Sequence, residues 1–201
     1  MAPGQDPPGK DAQIKGIPPR ATPGDYQAHA EAGDITIGAE FKGHSIPTSE
    51  AVYLNEDYVA VEVGLFGPPD ARVKLSHDDF TLRIDGKKTI LTGQPYAAVF
   101  KSLKDPEWIP PGGADSKSKS SISTGGAKND NSLPTVVHMP IELERAMDQR
   151  VQKAALLEGD RPLPAAGLVF FEHRGRTARI RSIELIYTGP NGKATLALQP
   201  E

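Results

Sequence analysis

Five residues between positions 173 and 181 carry the densest chemistry in the chain: His173, Arg174, Arg176, Arg179 and Arg181. Several guanidiniums held on a firm surface can grip carboxylate or phosphate through paired N–H donors. Arg179 and Arg181 alternate with Ala178 and Ile180, which predicts a strand with both arginines on one face. The same arrangement also serves as a charged face that keeps a sheet edge from pairing with other chains. Trp108, the only tryptophan, stands among prolines in the stretch DPEWIPP. Exposed, it would be a binding anchor. Folded back, it would cover the open end of a core.

The remaining candidates are sparser. His77-Asp78-Asp79 supplies two-thirds of a metal or acid/base site, but its spacing is that of a turn in which Ser76 and the aspartates bond nearby amides. His138-Met139 pairs two ligand types that suit Cu(I), although Met139 can equally pack at the start of a helix. His29 and His44 fall in an expected tail and loop and are assigned no role. No G-x-S-x-G, H-E-x-x-H, P-loop or G-x-G-x-x-G pattern is present. With no cysteine, disulfides, thiolate metal sites and cysteine nucleophiles are excluded. No catalytic residue, resident metal or cofactor is therefore expected.

The elements that must hold these residues are mainly strands. Ile35, Ile37, Ala39 and Phe41 alternate with Thr36, Gly38 and Glu40. Val59, Val61, Val63 and Leu65 alternate with Tyr58, Ala60, Glu62 and Gly64, and Gly67-Pro68-Pro69-Asp70 ends that run. Phe80, Leu82 and Ile84 form a third alternating set, and Asp85-Gly86 marks a hairpin leading into Thr89-Ile90-Leu91. The stretch from Gly167 to Leu198 reads as a β-meander. Its parity slips between Ile180 and Ile183, so a bulge is expected at Arg181-Ser182-Ile183. Pro140–Leu157 is the one good helix, with Leu143, Met147, Val151 and Ala155 on a shared face and Gly159 as its cap. About eight short strands separated by turn signals predict an antiparallel two-sheet sandwich.

The hydrophobic fraction of 37% lies below that of an ordinary globular domain. Segments without a core account for the dilution. Residues 1–32 carry six prolines among Gly, Asp and Gln and read as a disordered tether. Residues 33–201 would then be the folded domain, with a flexible insertion at 112–133. A net charge of −3 gives no reason to expect bulk attraction to nucleic acid or to an anionic membrane. No run of about 20 apolar residues exists to span a bilayer. Met1-Ala2-Pro3-Gly4 is not the start of a signal peptide. The expectation is a mature exported protein in which Met1 was added as the start.

Several of these segments occur in a familiar order. Tyr58–Val63 is followed by Val73-x-Leu75-Ser76-x-x-Asp79-Phe80-x-Leu82-x-Ile84-Asp85-Gly86, and much later by Leu163-Pro164-Ala165-Ala166-Gly167-Leu168-Val169-Phe170-Phe171 and Ile183-x-Leu185-x-Tyr187. The protein resembles the immunoglobulin-like extracytoplasmic domains of unknown function that follow signal peptides or lipoprotein leaders in bacteria. The resemblance covers somewhat under a third of the sequence and implies an immunoglobulin-like β-sandwich in the periplasm or at the cell surface. It carries no catalytic residues. The resulting expectation is a non-catalytic binding module of the cell envelope. Its partner would be a protein or an anionic envelope ligand, met through Arg174, Arg176, Arg179, Arg181 or Trp108. The alternative is a periplasmic copper-binding protein using His138, Met139 and His77. An enzyme would need a cleft built by the Gly93–Val137 section.

Overall fold

The computed structural model describes residues 17–109 and 138–200. The expected insertion at 112–133 lies outside the described residues. The protein is mainly antiparallel β, with one long amphipathic helix. Its main sheet has eight strands: β1 (Ala28–Ala32), β2 (Ile35–Phe41), β5 (Tyr58–Phe66), β7 (Phe80–Ile84), β8 (Leu91–Gln94), β11 (Ala165–Glu172), β12 (Ile183–Gly189) and β13 (Gly192–Leu198). Their order across the sheet is β1-β2-β5-β11-β8-β7-β12-β13. β3 (Ser45–Pro47), β4 (Val52–Asn55) and β9 (Leu103–Lys104) form a three-stranded sheet, and β6 (Arg72–Leu75) pairs with β10 (Gly159–Pro162). The helices are α1 (Tyr96–Phe100) and α2 (Ile141–Ala154).

The eight strands form one continuous sheet, whose two halves are joined through short β8. Phe170 and Phe171 of β11 oppose Gln94 and Gly93, while Thr81 and Leu82 of β7 oppose Thr92 and Leu91. The sheet curls until its edge strands meet. Gln27 Nε2 donates to the Gln199 carbonyl at 3.1 Å, Gln199 N donates back to Gln27 Oε1 at 3.1 Å, and Asn191 Nδ2 donates to Asp34 Oδ1 at 2.9 Å. These bonds tie the residues that flank the two edge strands to each other.

Two cores lie on opposite faces of β5 and β11. The inner one gathers Ile37, Phe41, Val61, Leu65, Phe80, Leu82, Phe171, Leu185 and their neighbours. The outer one packs Ala60, Leu168 and Phe170 against Met147, Val151 and Ala154 of α2 and against Ile46, Tyr53 and Val99. β5 is therefore buried along both faces, and the alternating pattern identified only the inner set. Leu168 and Phe170 belong to the outer core beneath the helix.

Three boundaries differ from the sequence expectation. Residues 17–32 are not a tether: Tyr26 is buried and Ala28–Ala32 pairs with Ile35–Ala39. The helix ends at Ala154, where Ala155 turns extended and bridges to Leu168. Gly159 accordingly begins β10 rather than capping the helix. No bulge forms at 181–183, because Ala178–Ser182 is not strand. Thr177–Arg179 makes a 3-10 turn, Ile180 turns inward, and β12 begins at Ile183.

Candidate functional site

The arginine loop hangs from Asp85. Asp85 and Gly86 take positive φ of 53° and 60°, and Lys87 N closes the turn on the Ile84 carbonyl at 3.1 Å. This is the left-handed turn that Asp-Gly favours in a hairpin. Asp85 Oδ1 accepts the backbone N–H of Arg181 at 2.7 Å and of Ser182 at 3.2 Å, and Asp85 N donates to the Ser182 carbonyl at 2.9 Å. Those amides are satisfied without a strand ladder, which is why the alternation at Ala178–Arg181 misled the sequence reading. The hydrogen bond from Arg181 N–H is the chief reason the Asp85 carboxyl is held below its usual range.

The four arginines are divided between two hollows. Arg179 and Arg181 line an open one of about 470 Å³ with Asp85 and Ser182. Both side chains are exposed and make no ion pair among the described residues. Arg174 and Arg176 line a second hollow of about 440 Å³ with His44, Lys104 and Glu56. There Arg174 is already engaged, with Asp57 at 3.2 Å and Glu172 at 3.6 Å, and Lys104 pairs with Glu56 at 2.8 Å. Trp108 lines neither hollow; it sits half-buried in a turn closed by Trp108 N on the Asp105 carbonyl at 3.3 Å.

His77-Asp78-Asp79 is a capped turn. Asp79 Oδ2 accepts Ser76 N at 3.0 Å, and Glu158 takes Ser76 Oγ at 3.0 Å and His77 N at 3.1 Å. His138 is exposed just before α2, while Met139 packs against the outer core. Among the described residues, no three His, Cys, Asp or Glu side chains converge as metal ligands do.

Sequence reasoning missed two clusters. His44 and His173 stack with ring centroids 6.3 Å apart. The His44 nitrogens lie 2.9 Å from the Tyr58 carbonyl and 2.8 Å from the Gly175 carbonyl, tying the arginine loop to the start of β5. His173 Nε2 is buried with no hydrogen-bond partner among the described residues. Burial, helped by the charge of His44, lowers its pKa. No local signal pairs residues this far apart in the sequence.

The second cluster lies on the outer face of β2 and β5. Glu40 and Glu62 are cross-strand partners. Arg20 donates to Glu62 through Nε at 3.1 Å and Nη2 at 2.9 Å and also pairs with Glu40. Lys42 reaches both carboxylates. The Arg20 guanidinium lies 4.5 Å from the centre of the Tyr26 ring, within cation–π range. Tyr26 in turn covers Gly38 and Gly64, which face each other across the strands. A Cβ at Gly64 would come 2.2 Å from Tyr26 Oη, and one at Gly38 2.5 Å from its ring. The expected tether is thus a strap seated on a two-glycine shelf. Gly38 and Gly64 stood in the sequence as gaps in two alternating strands, which was the available signal.

No family model matches the protein, and no curated protein does. Its backbone was matched to the crystal structure of a "putative lipoprotein" from Bacillus subtilis, with 11% identity and a TM-score of 0.39. The match covers 87% of this protein and 39% of that one, so this sequence spans about two fifths of that protein's length. No helix among the described residues is long and apolar enough to cross a membrane.

Proposed function

We propose that the protein is a non-catalytic extracytoplasmic binding module that meets an anionic partner in the cell envelope. Its contact surface is the basic rim made by residues 173–182 and the Asp85–Lys88 turn. One observation supports this most. Arg179 and Arg181 project from a loop whose backbone is held by Asp85, and neither guanidinium meets a carboxylate among the described residues. The one acid in the hollow spends an oxygen on two backbone amides, so both forks stay open to a carboxylate or phosphate from outside. Lys87 adds charge beside Asp85. The extracytoplasmic location rests on the resemblance of the strand motifs to exported domains.

The test is capture from envelope extract by the full-length protein and by an Arg179→Ala/Arg181→Ala variant of equal thermal stability. A partner that is retained by the parent, released by salt and lost from the variant supports the reading. Salt release is expected because exposed charge contacts are screened within about 8–10 Å. Equal capture by both proteins moves the contact away from the rim. Absence of saturable capture removes the binding-module reading.

A further inference from the structure

A cavity of about 220 Å³ opens where the strap, the end of β2, the β3–β4 turn and α2 meet. Lys42, Arg150 and Lys153 line it, with Glu62 as its one acid and Ile17, Pro47 and Ala154 among its apolar walls. We propose that this cavity is a binding site for a small organic carboxylate with a compact apolar body and no ammonium group.

The preference for an anion follows from counting donors and acceptors. Glu62 is only 7% exposed, and both of its oxygens are taken: Oε1 by Arg20 Nε, Oε2 by Arg20 Nη2 and Lys42 Nζ. It has little left to offer a ligand cation. The cations do have donors left. Lys42 spends its ammonium on Glu40 and Glu62, two of three N–H groups. Arg150 gives Nε and one Nη2 proton to Glu50 and one Nη1 proton to the Tyr53 hydroxyl, which leaves two of its five. Lys153 is exposed at the rim and makes no ion pair among the described residues. Unspent N–H donors thus sit beside an acid that already takes three N–H groups.

The size and the walls set the rest. Drug-sized ligands occupy roughly 300–1,000 Å³, so this cavity suits something smaller. Apolar side chains beside the cations would hold a short hydrocarbon body, while charge-assisted hydrogen bonds orient the carboxylate. A zwitterionic amino acid would bring an ammonium against Lys42, Arg150 and Lys153, and the one acid in the lining, Glu62, already serves Arg20 and Lys42.

The experiment is amide-resolved NMR titration of the full-length protein with benzoate and 4-methylpentanoate. Their neutral amides, L-leucine and an N-acetylated peptide ending in leucine are run in parallel. The expected result is saturable shifts at Lys42, Ser49, Lys153 and Ala154 with at least one free acid, and binding about tenfold weaker for the amides and for leucine. Lys153→Gln is expected to weaken the acid about tenfold without moving the melting temperature, because Lys153 makes no ion pair among the described residues. Arg179→Ala/Arg181→Ala should leave this binding unchanged, which separates the cavity from the rim. The proposal is overturned if neither acid gives saturable shifts, if the amides bind as well, or if Lys153→Gln has no effect. Tighter binding of the peptide than of either acid would overturn it in favour of the carboxyl terminus of a polypeptide.

Discussion

Glu40 and Glu62 stand directly opposite each other on β2 and β5, two negative charges that would destabilise the pairing if left alone. Arg20 and Lys42 each reach both carboxylates. The site is neutral only while the strap is seated, because one of its two cations comes from residue 20. Strap docking therefore supports the pairing of the two strands. Arg20→Met should cost about 1–2 kcal/mol, the value of hydrogen bonds to charged groups reduced for partial exposure. Urea denaturation checks this, and unchanged stability would mean that Lys42 alone neutralises the pair.

The same network sets an acid limb. Burial pushes the Glu40 carboxyl up, but hydrogen bonds from Lys42 and Arg20 outweigh it, and the net shift is downward. A carboxyl held lower in the folded state stabilises above its unfolded value, 4.5 here, and that contribution is lost as pH falls through the folded value. Glu40→Gln should therefore flatten the loss of stability below about pH 4.5 while lowering stability near neutrality. Parallel acid limbs in parent and variant would contradict this.

Tyr26 and the two glycines beneath it should behave as a unit. Gly64→Ala places a methyl where Tyr26 Oη lies, within 2.2 Å, and is expected to cost roughly 1–3 kcal/mol by overpacking. In a Tyr26→Ala background the same substitution should cost much less, because the ring is gone. A double-mutant cycle measures that coupling. Additive losses would show that the glycine is needed for the strand and not for the strap.

His173 predicts a pH dependence of its own. Burial lowers its pKa from 6.5, so the unfolded protein takes up a proton more readily than the folded one. Stability should be fully present above about pH 6.5 and decline as pH falls through that value, levelling off below the folded value. His173→Leu should remove this slope. A slope that survives the substitution would assign it to another group.

Phe170 and Phe171 are neighbours buried on opposite faces of β11, in the outer and inner cores respectively. Either truncated to alanine should cost roughly 3–5 kcal/mol. Only Phe170→Ala removes packing from beneath α2, so at equal loss of global stability it should speed amide exchange in Ile141–Ala154 more than Phe171→Ala does. Equal exchange in the two variants would mean that α2 does not depend on the outer core.

Period-two alternation was enough to identify an all-β protein with one amphipathic helix, because each inner-core strand writes its buried face into every second residue. The Val59–Leu65 run, the Phe80–Ile84 run and the Asp85-Gly86 turn lie where their residue types place them. Local pattern reports one buried face at a time. It could not show that β5 and β11 are buried twice, since the second cover comes from α2, far along the sequence. It also assigned Ala178–Arg181 to a strand. The competing interaction, Asp85 capping two amides nearly a hundred residues away, leaves no mark at the loop itself. The charged strap is the clearest case. Arg20 and Tyr26 looked like residues of a proline-rich tail, and Gly38, Gly64, Glu40 and Glu62 were the residues alternating with the apolar face of two strands. Only tertiary structure lays one on the other, because cation–π stacking, a glycine shelf and paired charges depend on distance in space, which composition and periodicity do not encode.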